Sequence, residues 1–433
     1  MAVRFSQSDS DFEARFAALL GAKREVAEDV DSVARAIVED VRMRGDAALI
    51  DYTAKFDRLA LTPDRLRVPR EEIAAAGKDI SAAEREALTF ARDRIEAFHR
   101  RQMPADDRYT DATGVELGIR WTAIEAVGIY VPGGLAAYPS SVLMNAIPAR
   151  VAGVERIVMA TPTPDGKMNP LVLAAAEIAG VDEIWRVGGA QAIAALAYGT
   201  QSIVPVAKIM GPGNAYVAAA KRIVFGGVGI DMIAGPSEVL VVADADNDPD
   251  WIAADLLAQA EHDPAAQSIL VTDSAELADA VAAAVERQLK TLARAEIAAV
   301  SWRNNGAMIV VASLAGAMEL ANRIAPEHLE LAVAEPEALL TKVRNAGAVF
   351  LGRHTPEVIG DYVGGPNHVL PTARSARFSS GLSVFDFLKR TSLLKLGPDQ
   401  LRALAPSAIT LAEAEGLGGH ARSVAIRLNR SGS

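Results

Sequence analysis

Gln259 and His262 stand three apart in a run, Trp251 to His262, whose apolar residues recur at helical spacing. Side chains three apart leave one face of a helix about a turn apart, so an amide oxygen and an imidazole there suit two ligands on one metal ion. Read more plainly, His262 is a capping or surface residue ahead of Asp263-Pro264. Further along, Pro326 precedes Glu327-His328, an acid beside a base. Adjacent side chains diverge on a helix or a strand, so this pair suits two different steps on one substrate, although the dipeptide also arises by chance. Asp361, Tyr362 and the loop Gly364 to His368 come after an expected strand, and Glu415 and His420 bracket a small-residue loop, Gly416 to Gly419. Gln, Asp and two His give mixed oxygen and nitrogen ligation, which favours zinc and also fits cobalt or manganese. The chain has six histidines and no cysteine. Disulfides, thiolate metal sites and a cysteine nucleophile are therefore all excluded.

Four glycine-rich loops form a second group: Val131 to Gly134, Gly188 to Gln191, Gly211 to Asn214 and Ala234 to Ser237. Each lets backbone N–H groups approach a ligand at a helix N-terminus, which suits phosphate. Singly, each also reads as an ordinary strand-to-helix turn. The dinucleotide fingerprint is imperfect, since Tyr216 stands where that motif takes Gly or Ala after Gly211 and Gly213. Four such loops in one block point to a nucleotide or another phosphate-bearing ligand.

The elements that must position these residues alternate. The first 120 residues read as helical, as in Ser32 to Met43 and Asp46 to Phe56. Beyond Ala123, strands are expected at 126–131, 156–160, 183–187, 206–210, 238–243, 268–272, 307–311 and 348–351. Alanine-rich helices are expected between them, at 141–151, 169–179, 190–198, 215–224, 249–260 and 275–294. Such alternation predicts parallel α/β sheets, in two blocks with a seam near Ile230 to Glu238, and ligands at the carboxyl ends of the strands. After about Ser380 the pattern weakens into a short helical tail.

The whole chain sets limits on the class of protein. It has 433 residues, half of them hydrophobic, and a formal charge of −11, which argues against general nucleic-acid binding. Asp9, Asp11, Glu13 and Arg15 interrupt any secretory leader, and Val142 to Ala160, broken by Asn145, Arg150, Glu155 and Arg156, does not span a membrane. A cytoplasmic location without membrane attachment is the expectation.

Together these motifs resemble the histidinol dehydrogenase family, from about Ser32 to Ile426. The similarity is carried by Val127 to Leu135, Tyr138 to Arg150, Gly188 to Gln201, Lys208 to Ala218, Ile230 to Val242 and Asp255 to Ala265. It continues through Ala325 to Leu331, Gly360 to Ala373, Ser379 to Leu393 and Ala414 to Arg422. The resemblance implies NAD-dependent, four-electron oxidation of L-histidinol through its aldehyde to L-histidine. Zinc would be held by Gln259, His262, Asp361 and His420, with Glu327 and His328 as the catalytic acid–base pair. Ser237, Glu415, the zinc ligands and His328 would contact substrate, and Tyr130, Gln191 and Asn214 would contact NAD. It also implies a homodimer in which Glu415 and His420 reach the partner's site. The expected fold is α/β, two Rossmann-like parallel-sheet domains with a helical N-terminal region and a small C-terminal tail domain. Its expected segments are an N-terminal arm over 1–25, a first α/β domain over 26–129 and 239–381, an NAD-contacting domain over 130–238, and a tail over 382–433 swapped onto the partner.

The chemistry of such a reaction agrees with the residues. Without cysteine there is no thiohemiacetal route, so the aldehyde step needs activated water, assigned to Glu327, with His328 accepting protons. Three rivals stand beside this reading. One is a same-fold dehydrogenase of another small polyol, such as a sulfonated propanediol, separable by substrate screening. The others are a zinc hydrolase, separable by turnover without NAD, and a non-catalytic metal-binding protein, separable by its lack of any turnover.

Overall fold

The structure, a computed structural model, describes residues 2–21, 28–133, 138–233 and 235–428. Gly134, Ala234 and residues 22–25 of the expected arm lie outside the described residues. The chain forms two compact units, one of Met1–Gln102 with Glu125–Asp386, the other of Met103–Ile124 with Phe387–Ser433.

The first unit contains two parallel sheets. In the five-stranded sheet the order is Glu183–Trp185, Arg156–Ala160, Ala126–Tyr130, Lys208–Met210, Gly229–Ile230. The chain therefore winds outward in one direction from Ala126–Tyr130 and then returns to start on its other side. That leaves a topological switch point between Ala126–Tyr130 and Lys208–Met210, the place at which sheets of this kind receive ligands. The six-stranded sheet has the order Val3–Ser6, Ala307–Val310, Gln267–Thr272, Glu238–Ala243, His328–Ala332, Ala348–Leu351, all neighbours parallel. Its last five strands repeat the winding of the smaller sheet. The two parallel sheets are as expected, and the chain passes from the smaller to the larger between Ile230 and Glu238.

Strand alternation shows how the larger sheet is covered on both faces. Leu240 and Val242 point into a core shared with Phe5, Phe12, Phe16, Ile309 and Ile324. Val239 and Val241 point the other way, onto Ile252, Leu256 and Leu257 of the helix Pro249–Ala260 and onto Val281 and Trp302. A sheet buried on both sides needs near-continuous apolar strands, and EVLVVA over 238–243 is fully buried. The helices Glu28–Arg44 and Asp46–Asp57 are grouped with 239–381 in the domain reading above. In the structure they bury Ile37, Val38, Val41 and Leu49 against the five-stranded sheet and its helix Gly189–Tyr198.

The N-terminal region is not wholly helical. Val3–Ser6 is an edge strand paired with Ala307–Val310. One expected helix, 275–294, ends at Gln288, and a second runs Ala295–Asn305. In the second unit, Leu388–Lys395, Glu116–Ala123 and Asp107–Thr110 form a three-stranded antiparallel sheet, followed by the helices Pro398–Ala414 and Gly418–Leu428. No described helix is long and apolar enough to cross a membrane.

Candidate active site

Glu327 and His328 open the strand His328–Ala332, beside Glu238 at the start of the neighbouring strand. The acid–base pair therefore lies at the amino edge of the six-stranded sheet, whereas the sequence reading placed chemistry at carboxyl edges. The Glu238 backbone fixes both side chains. Its N–H donates to Glu327 Oε2 at 2.9 Å, and its carbonyl oxygen accepts from His328 Nδ1 at 3.0 Å. A ring that donates from Nδ1 carries its lone pair on Nε2. Nε2 is buried and has no hydrogen-bond partner among the described residues. Burial pushes the His328 pKa down to about 3, against the opposing effect of the Glu238 carbonyl, and the charges of His262 and His368 lower it further. His328 is thus a neutral imidazole with an available lone pair.

The helix Glu357–Tyr362 closes one side. Asp361 Oδ1 stands 4.0 Å from His328 Nε2 and 3.9 Å from His368 Nδ1. Burial raises the Asp361 carboxyl to about 7. His368 Nδ1 donates to the Asp361 carbonyl oxygen at 3.0 Å, and burial lowers that ring to about 4. Glu357 is 2% exposed, and its pKa is held well above the carboxylate range by burial first and by Asp361 second. His328, Glu357 and Asp361 each offer an atom within 4.8 Å of the others, a grouping able to hold a metal ion.

The helix Pro249–Ala260 supplies the rest. Asp248 caps it by accepting from the Asp250 N–H, and Pro249 fits its first turn. It ends at Ala260, as the expected helix over 249–260 does, so His262 lies in the following turn. The His262 N–H donates to the Gln259 carbonyl at 3.2 Å, which keeps the two side chains one turn apart. Gln259 is fully buried, and among the described residues neither its amide oxygen nor its amide nitrogen has a partner. An unpaired buried amide is costly, and a ligand for its oxygen would relieve that cost. His262 keeps solvent on one side, while desolvation on the other, then the charge of Arg294, lowers its pKa. One turn before Gln259, Asp255 on this helix hydrogen-bonds to Glu330 of the strand.

Two residues were not assigned a role from sequence. Glu357, in the first turn of a short helix, reads as a partner for the helix dipole, and His368 sits in a glycine loop that was noted without a role. His368 Nε2 lies 3.5 Å from Ser141 Oγ, and Asn367 Nδ2 donates to the Met144 carbonyl at 2.6 Å. Both contacts are to the helix Pro139–Ala152, which follows the strand Ala126–Tyr130, so the site meets the smaller sheet's block here. Ser237 immediately precedes Glu238, and its carbonyl accepts from Gln267.

The expected NAD contacts gather at the carboxyl edge of the five-stranded sheet. Tyr130 ends its strand, 3% exposed, and its hydroxyl accepts from the Gly189 N–H at 3.1 Å. Burial pushes this phenol up to about 12. Gln191 is buried in the first turn of Gly189–Tyr198. Asn214 caps Ala215–Val224, its side-chain oxygen accepting from the N–H groups of Tyr216 and Val217. The glycines here also serve packing, since a Cβ on Gly188 would come within 2.4 Å of Pro162 and one on Gly213 within 2.4 Å of Val217. Glu415, at the end of Pro398–Ala414, and His420, in the first turn of Gly418–Leu428, are exposed residues of the second unit.

Known proteins resemble this chain over its whole length. The sequence model of the histidinol dehydrogenase family matches residues 21–428. A histidinol dehydrogenase of Mesorhizobium japonicum is 70% identical over 429 residues, covering 99% of this chain and 100% of that protein. One from Bradyrhizobium diazoefficiens is 68% identical over 431 residues, covering 100% of both. The crystal structure of histidinol dehydrogenase from Elizabethkingia anophelis superposes with a TM-score of 0.94 at 39% identity, covering 99% of this chain and 98% of that one.

Proposed function

The chain belongs to the histidinol dehydrogenase family, and on that premise we propose that the residues just described carry out the NAD-dependent oxidation of L-histidinol to L-histidine. The observation that carries the assignment of roles is the His328 ring, with Nδ1 held by the Glu238 carbonyl and Nε2 buried without a partner.

The donor set fits a zinc ion. Gln259 has an unpaired buried amide, Asp361 a buried carboxyl and His262 an imidazole, and the chain has no thiolate to compete. Gln259, His262 and Asp361 would hold the metal, with His420 completing the set from the partner subunit of a homodimer. The switch point, with Tyr130, Gln191 and Asn214 around it, fits NAD. When bound, zinc would hold the imidazole and amino nitrogens of the substrate, and NAD would accept hydride.

The protein's own residues then manage protons and water. His328 Nε2 takes the hydroxyl proton of histidinol as the carbinol C–H bond breaks, which yields the aldehyde. A neutral ring is the form this step needs, and burial keeps His328 neutral at physiological pH. Glu327, oriented by the Glu238 N–H, activates water for addition to the aldehyde carbonyl. The resulting gem-diol loses a proton to His328 in the same manner, and the product is the carboxylic acid. Two successive two-electron steps balance the change from alcohol to acid. Ser237 and the partner's Glu415 would contact the cationic substrate.

The test counts NADH formed per histidinol consumed by purified, zinc-loaded protein. Two NADH with histidine as product, and loss of activity on chelation, are expected. One NADH with free aldehyde would remove the role given to Glu327, and none would overturn the substrate assignment.

A further inference from the structure

A buried ion pair that the reaction does not use lies beneath the loop Gly211–Asn214. Lys221, on the helix Ala215–Val224, and Asp231, just past the edge strand, have side chains only 3% and 2% exposed. Lys221 Nζ donates to Asp231 Oδ1 at 2.6 Å and to the Gly211 carbonyl oxygen at 2.5 Å. Asp231 Oδ2 accepts from the Gly211 N–H at 2.7 Å. Both polar groups of one glycine backbone are therefore held by one ion pair, in a closed ring of hydrogen bonds. Gly211 itself has φ +100°, and a Cβ there would sit 2.2 Å from the Tyr130 carbonyl oxygen. The clamp thus fixes the loop directly against the end of the strand Ala126–Tyr130, at the switch point.

Desolvating two charges costs more than packing apolar groups of the same size, so a buried pair adds little net stability. What it does supply is direction, because two charges and two backbone groups fit together in only one arrangement. We infer that Lys221 and Asp231 are positioning residues for the nicotinamide cofactor. They hold the Gly211–Asn214 loop, and the helix N-terminus it leads into, in the geometry that receives the cofactor diphosphate. The inference rests on the NAD reading proposed above.

The experiment measures KM for NAD, KM for histidinol and kcat in the zinc-loaded dimer for Lys221→Met, Asp231→Asn and the double variant Lys221→Met/Asp231→Leu. Lys221→Arg serves as the conservative rescue. The expected result is a KM for NAD raised about tenfold or more, with KM for histidinol and kcat at saturating NAD changed less than about threefold. Lys221→Arg should recover part of the loss. The double variant removes both charges together, so it should fold and still bind NAD weakly. An unchanged KM for NAD in the folded double variant, or a parallel change in all three constants, overturns the inference. Gln191→Ala separates this failure from failure of the NAD reading. If Gln191→Ala raises the KM for NAD while the clamp variants do not, only the clamp role is lost. If neither moves it, the cofactor does not bind at this edge, and both readings fall.

Discussion

At the scale of single residues, the roles proposed above fall on two neighbours, Glu327 and His328, held by one backbone. His328→Asn should lower kcat by about a hundred- to ten-thousandfold, the range general-base removal gives, while zinc content by atomic absorption stays at wild type. Glu327→Gln should act selectively. The alcohol step survives, so NADH per histidinol falls from two to one and aldehyde becomes trappable with a hydrazine. Equal loss of both steps would mean that Glu327 serves the structure of the site and not water activation. Asp361 makes a pH prediction. Metal binding requires the carboxylate, and burial raises this carboxyl from its ordinary 3.8 to about 7 in the metal-free protein. Protonation therefore competes with zinc below pH 7, and affinity should fall by up to about tenfold per pH unit there. Chelator competition between pH 5.5 and 8 measures this, and a flat profile would show that Asp361 does not hold the ion.

At the scale of elements, the site depends on a helix packed against a strand through acids. Asp255 on Pro249–Ala260 and Glu330 on His328–Ala332 face each other, and burial raises Asp255 to about 6 and Glu330 well above its ordinary value. An acid whose folded pKa exceeds its unfolded one costs no stability below the unfolded value. The cost appears as pH rises from about 4 to about 6 and persists above. Asp255→Asn removes the ionisation and keeps an acceptor for the Glu330 proton, so it should stabilise the metal-free protein at pH 8. The gain is at most about 1–3 kcal/mol, from the size of the shift, and should vanish below pH 4. Thermal melts at both pH values test it, and equal gains at both would refute the linkage. The same pair explains what the sequence concealed. Strands such as EVLVVA at 238–243 were legible because continuous apolar residues mark a sheet covered on both faces. HLELA at 328–332 is just as buried, but its acid disguises it, because a carboxyl that keeps its proton is indistinguishable by letter from a charged one. Val3–Ser6 was hidden for another reason, since an edge strand paired with Ala307–Val310 has no local signal of its partner. Gln259, His262, Glu327, His328 and Asp361 were singled out through family motifs. Glu357 was not, because its significance lies in what surrounds it and not in its spacing.

At the scale of the molecule, the second unit is underburied. Its two helices bury only Ala405 and Ala421, while Leu411 is 63% exposed and Ile426 53%. Helices with so little buried surface gain stability by covering their apolar residues, and a symmetric second copy provides a matching face. A face of this kind suits the homodimer proposed above, in which each tail would lend Glu415 and His420 to the partner's site. Complementation tests the exchange. His328→Asn spoils the body of the site and His420→Asn spoils the tail, and each homodimer should be nearly inactive. When the two are co-expressed and assort at random, half of the dimers are mixed. In a mixed dimer with exchanged tails, one site combines the intact body of one chain with the intact tail of the other, and the remaining site carries both lesions. The mixture should therefore recover about a quarter of wild-type activity, whereas tails acting within their own chains would recover none, because every site then keeps one lesion. Activity in the mixture thus reports tail exchange directly, and its absence from dimers of normal size would place His420 in its own subunit's site.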